Sequence, residues 1–124
     1  MKVFIGKPHD GDDGEVDVVI HDYDTWNVDI TLALVIAPLL KEFKANNLAA
    51  PGNIDDNDVP ESMRGYDDND DDFESLFERW DWIIDEMIWT FETIGDEMDF
   101  SEDTDNRINN GLRLFGKYFR NLWS

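Results

Sequence analysis

The apolar positions of the chain fall into two short runs of β type and then three stretches with helical rhythm. Residues 2–5 and 16–21 (Val16-Asp17-Val18-Val19-Ile20-His21) are short and rich in β-branched side chains, with Gly11-Asp12-Asp13-Gly14 between them. Such runs on either side of a Gly/Asp turn predict a β-hairpin over residues 1–21. Asn27 or Asp29 can cap a helix that continues to about Asn46, a span of 27–46. Leu32, Val35, Ile36, Leu39 and Phe43 keep helical spacing along it. Pro38 lies inside this stretch and removes one backbone hydrogen bond, so a kink or a break is expected there.

Residues 47–72 have no such rhythm. They contain Pro51-Gly52, Asp55-Asp56-Asn57-Asp58, Pro60, Gly65 and the acidic run Asp67 to Asp72, which predicts a long acidic loop. The clearest periodicity follows, at 73–94: Phe73, Leu76, Phe77, Trp80, Ile84, Met87, Ile88 and Phe91 share one helical face. After an acidic connector, Ile108, Leu112, Phe115, Phe119 and Leu122 form the stripe of a third helix over 105–122. The expectation is a mostly α (α+β) single domain over 1–124, a three-helix core with a small N-terminal β-hairpin.

Charge changes this picture more than any other property. Thirty acidic residues face ten basic ones, a formal net charge of −20. Solubility of a small domain needs a magnitude of only about 2–8. A surface this negative repels nucleic acid and anionic membrane and attracts basic surfaces. Five Trp and eight Phe set the chain apart from a disordered acidic tail. The absence of cysteine removes thiol chemistry, Cys-ligated zinc and disulfides. No stretch approaches the roughly 18 apolar residues of a membrane span. The N-terminus has no signal-peptide apolar region, so a cytoplasmic protein is expected.

The acid is unevenly placed. From Asp55 to Asp105 there are 21 acidic residues against Arg64 and Arg79, a net of −19. The third helix carries Arg107, Arg113, Lys117 and Arg120. Either its basic face docks on the acidic part of the domain, or it forms a site of its own. Along the second helix Glu74, Glu78, Asp81, Asp85 and Glu92 repeat acid at helical spacing. Like-charged i,i+4 pairs cost about 0.2–0.5 kcal/mol each where opposite charges would gain as much. Steps of three or four residues set neighbouring carboxylates about 5–6 Å apart. This resembles a phosphate backbone in sign and, loosely, in spacing, so a protein that grips phosphates through Lys and Arg would accept it as a decoy. The competing readings are a solvated acidic face and halophilic adaptation. Against adaptation stands the basic third helix, since adaptation spreads acid over the whole surface.

Trp82 and Trp89 lie on the side of the second helix opposite its apolar stripe, beside Asp85 and Glu86. Exposed, they would be partner anchors, because Trp is enriched at interface hot spots. The alternative is that the helix is central and both are covered. The residues expected to bind a partner are therefore Glu74, Glu78, Asp81, Trp82, Asp85, Trp89 and Glu92. Asp67, Asn69, Asp71 and Glu78 match positions 1, 3, 5 and 12 of a calcium loop, but Asp72 stands where the sharp turn needs Gly. No specific metal site or cofactor is expected. His9 and His21 with Asp22 and Asp24 are the one cluster suited to acid–base chemistry, and no nucleophile motif or phosphate loop accompanies them. No catalytic residue is assigned, and a non-enzymatic protein is expected.

Four blocks carry a family resemblance: Tyr23-Asp24-Thr25-Trp26-Asn27; Asp58-Val59-Pro60-Glu61; Phe77-Glu78-Arg79-Trp80-Asp81-Trp82 with Asp85-Glu86-Met87-Ile88-Trp89; and Arg107 to Tyr118. From about residue 22 onward the chain resembles a group of small tailed-bacteriophage proteins with no known activity. Members of the group differ in a longer segment between the last two helices and in their N-terminal part. The resemblance implies a phage origin and a place in the host cytoplasm, and it carries over no functional residues. Small acidic phage proteins often resemble inhibitors of host nucleic-acid-handling systems, an analogy of class. The leading expectation is an acidic binding protein, a DNA-mimic-type inhibitor of a host nucleic-acid-binding or defence protein. The alternatives are a phage structural or assembly protein and a small-molecule or ion binder near Tyr23, Trp26, His9 and His21.

Overall fold

The computed structural model describes residues 1–5, 16–65, 73–96 and 101–123. The fold is mostly α: three helices with a two-stranded antiparallel sheet at the N-terminus. Strands β1 (Lys2–Ile5) and β2 (Val16–Val19) pair with Lys2 opposite Val19 and Ile5 opposite Val16. Val3, Val18, Val19 and Ile20 are exposed, so these β-branched side chains add nothing to the core. A 3-10 turn, Asp22–Thr25, joins the hairpin to helix α1 (Val28–Asn46). The Thr31 hydroxyl donates to the Asp24 carbonyl at 2.8 Å and ties the turn to the first helical turns.

Helix α1 continues unbroken through Pro38, which is exposed. Its buried face is not the stripe of large residues. Ala33, Ala37 and Leu40, spaced i, i+4, i+7, turn inward, while Leu32 and Leu39 are exposed. Residues 28–40 are apolar nearly all round, so periodicity does not select a face, and alanines allow the closest backbone approach.

Helix α2 (Phe73–Gly95) is central. Trp80, Ile83, Ile84, Met87 and Thr90 are fully buried along it. Both α1 and α3 (Glu102–Tyr118) pack on it, and α1 and α3 hardly touch each other. The third helix begins three residues ahead of the expected 105. Ser101 caps it by accepting from the Thr104 amide at 3.3 Å, and Glu102, Asp103 and Asp105 fill its first turn, where acid is favoured by the helix dipole. It ends at Tyr118 and passes into a 3-10 turn, Phe119–Asn121. Its buried side is Ile108, Gly111, Leu114 and Tyr118, a rotated version of the expected stripe that leaves Leu112 and Phe119 exposed.

Gly111 explains the rotation. A Cβ there would stand 1.7 Å from Thr90 Oγ1 and 2.7 Å from Thr90 Cβ, so α3 crosses α2 at a contact only glycine permits. The Thr90 hydroxyl donates to the Glu86 carbonyl at 2.7 Å, which satisfies it inside the core.

Within the expected loop of 47–72, residues 47–65 hold two 3-10 turns, Asp56–Asp58 and Glu61–Met63, and insert Ile54 and Val59 into the core. The acidic run 67–72 lies outside the described residues, and with it the Asp67, Asn69 and Asp71 positions of the calcium-loop match.

Candidate partner-binding site

The basic residues decide how the acidic surface is laid out. Arg79, the one base on α2, is buried and reaches the 47–65 segment. Its guanidinium donates to the Asp56 carboxylate at 3.0 Å, to the Ile54 carbonyl at 2.8 Å and to the Met63 carbonyl. Helix α3 grips the same segment from the other side. Asp58, only 5% exposed, receives Lys117 at 2.6 Å, the Tyr118 hydroxyl at 2.7 Å and Arg113 at 2.8 Å. Tyr118 also accepts the Asp55 amide at 3.0 Å. Burial pushes the Asp58 carboxyl up, but the hydrogen bonds from Lys117, Tyr118 and Arg113 outweigh it and hold the group below its ordinary value. The bond to Asp58 raises Lys117, and burial, followed by the same bond, raises Tyr118. The basic face of α3 therefore docks on acids of its own domain.

The expected acid row is divided by the same logic. Asp85 pairs with Lys44 at 2.7 Å and Glu92 with Lys41 at 2.7 Å, both across the α1–α2 contact. Glu74, Glu78 and Asp81 have no ion pair among the described residues. Glu74 and Glu78 are exposed and Asp81 is half-buried. Burial raises the Asp81 carboxyl; Lys44 pulls it down and Asp85 pushes it up. Trp82 is half-buried against the core, and Trp89 is half-buried with the Arg107 guanidinium 3.8 Å above its ring. Arg107 is held there by Glu86 at 2.9 Å. These two indoles are covered side chains of a central helix, and the exposed ones are Trp26 and Trp123.

A second surface was not foreseen. Because α1 and α3 both pack on α2 and hardly touch each other, an open groove of about 920 Å³ lies between them. Leu32 and Ile36 line it from α1, Phe91 and Ile94 from α2, and Leu112 and Phe115 from α3. Its charged lining residues are Asp29 and Asp105. The sequence signal for it was the surplus of large apolar residues on α1 beyond what one face can bury.

The remaining chemistry is sparse. Among the described residues no group of His, Asp and Glu is arranged to hold a metal ion. His21 stacks on Tyr23 at 5.2 Å and both are exposed; His9 lies outside the described residues. No helix among the described residues is long and apolar enough to cross a membrane. No family model matches the chain, and no curated protein or solved structure matches it.

Proposed function

We propose that this chain is a non-enzymatic acidic binding protein of bacteriophage origin, acting in the host cytoplasm as a DNA-mimic-type inhibitor. Its partner is the basic groove of a host nucleic-acid-binding or defence protein. The observation that carries this reading is the fate of the cations. Lys41, Lys44, Arg79, Arg107, Arg113 and Lys117, six of the ten basic residues, are engaged in internal ion pairs. Glu74 and Glu78 are left exposed on α2 with no ion pair among the described residues, and Asp81, one turn on, feels Lys44 only at a distance. Asp85 and Glu92 contribute to the field, though each already has a lysine.

The test is affinity capture from bacterial lysate followed by competition with duplex DNA. A captured nucleic-acid-binding protein released by moderate salt and displaced by duplex DNA is the expected result. The variant Glu74→Lys, Glu78→Lys, Asp81→Asn should keep its helical circular dichroism and lose at least about tenfold in affinity. Unchanged affinity in that variant, or a partner indifferent to duplex DNA, overturns the reading.

A further inference from the structure

We infer that the groove between α1 and α3 is a docking site for a basic amphipathic helix of a partner protein. This concerns a different surface from the acidic face of α2 and does not rest on it.

The groove follows one face of α3 from Asp105 to Phe115, ten residues or about 15 Å at the helical rise, enough for roughly three turns of a guest helix. Its walls are Leu32 on α1 and Leu112 on α3, which are 53% and 42% exposed although both are leucine. Phe91 and Ile94 of α2 form the floor. A trough this open does not enclose a small molecule, whose ordinary pockets cover most of its surface. The occupant must bring its own solvated side. An amphipathic helix does so, placing apolar anchors at i, i+3 or i+4, and i+7 in the groove and its polar face outward.

Charge selects the kind of helix. Asp29 and Asp105, in the first turns of α1 and α3, are both acidic, and among the described residues no Lys or Arg lines the groove. Glu102 and Asp103 extend the acid along the first turn of α3. A helix with lysines or arginines flanking its apolar stripe complements this rim. A second copy of the chain does not, because each copy brings a net charge of −20 against the other.

The experiment uses the full chain and three fluorescent synthetic helical peptides. One has leucine anchors with lysine flanks, one the same anchors with glutamate flanks, and one lysine flanks with serine in place of the anchors. Anisotropy should show saturable binding of the first peptide alone. Leu32→Gln with Leu112→Gln should weaken it at least about tenfold. Glu74→Lys with Glu78→Lys should leave it within about threefold, which separates failure of this proposal from failure of the decoy reading. Five results overturn the proposal. The first peptide fails to bind, or binds the Leu32/Leu112 variant equally well. The serine peptide binds as tightly, which reduces the effect to bulk charge. Sedimentation shows a dimer that the Leu32/Leu112 variant abolishes, making a second copy the occupant. Or the peptide binds only after Met98→Ser with Phe100→Ser, making the chain's own connector the occupant.

Discussion

Asp58 and Asp81 are carboxylates on the same acidic protein; burial pushes both upward, yet they end on opposite sides of the ordinary value. Asp58 is the more deeply covered, yet its carboxyl is held below the ordinary value, because Lys117, Tyr118 and Arg113 converge on it. Asp81 is half-buried and its carboxyl is raised, because burial pushes it up, Lys44 offsets this only from a distance, and Asp85 adds to the rise. Burial alone therefore does not predict the state of an acid; its company does. Around Asp58 charge is matched and serves to clamp the 47–65 segment between α2 and α3. Around Asp81 the one attraction, from Lys44, is opposed by Asp85 and by burial.

The strongest way to break this contrast is to move α3 off α2. Gly111→Ala drives a methyl group into Thr90 and should cost about 3 kcal/mol in urea-denaturation stability, carrying Arg113 and Lys117 away from Asp58. Thr90→Gly in the same chain should restore much of the loss, since it removes the atoms that clash. No recovery in the double variant would show that the crossing is not the cause.

Asp58→Ala comes next. It leaves the buried Tyr118 hydroxyl without its acceptor, and we expect a loss of about 2 kcal/mol. Arg113 and Lys117 are 48% and 40% exposed, so both re-enter water and the full penalty for a broken buried pair does not apply. A loss too small to measure by thermal or urea melting would mean that the clamp does not hold the segment.

The pH dependence sharpens the comparison. The folded Asp58 carboxyl lies below the ordinary aspartate value of 3.8, so its contribution is complete above that pH and disappears as pH falls through the folded value. The difference in melting temperature between the protein and Asp58→Ala should be constant at neutral pH and shrink below about pH 3.8. At the alkaline end Lys117 and Tyr118 are raised, so their contribution holds below about pH 10 and is lost above it. A difference that grows on acidification would reverse the assignment.

The smallest effect should fall on the other carboxylate. The raised Asp81 carboxyl means that its charge opposes folding at neutral pH, an opposition that vanishes as pH falls below the folded value. Asp81→Asn should leave melting unchanged or slightly higher at pH 7. A clear loss there would place Asp81 in an interaction like that of Asp58.

Much of the helical frame is legible in the sequence because α2 repeats large apolar residues over several turns. What stays hidden depends on contacts between distant residues. An Asp-rich stretch reads as solvated loop, and nothing local reveals that Asp58 will meet Arg113, Lys117 and Tyr118 about sixty residues on. Two signals hint at it: Ile54, Val59 and Met63 scattered among the acids, and Arg79 as the single base on an otherwise acidic helix. The groove is hidden for a different reason. Helix α1 is apolar on nearly every side, so its pattern cannot say that Ala33 and Ala37 turn inward while Leu32 faces out. The divided acid row follows from Lys41 and Lys44, on another helix, whose register against α2 only the packed structure defines.

The internal use of the basic residues has a consequence for the solution around the molecule. With most of its own cations locked in place, the charge that balances the surface must come from dissolved ions, gathered as a loose atmosphere within about a Debye length, roughly 8–10 Å at ordinary ionic strength. A basic partner that settles on the protein sets those ions free, and the gain in their entropy helps drive the encounter, as it does on nucleic acid. On the proposed function, part of the binding energy lies outside the protein's own atoms, in the small ions it is ready to give up.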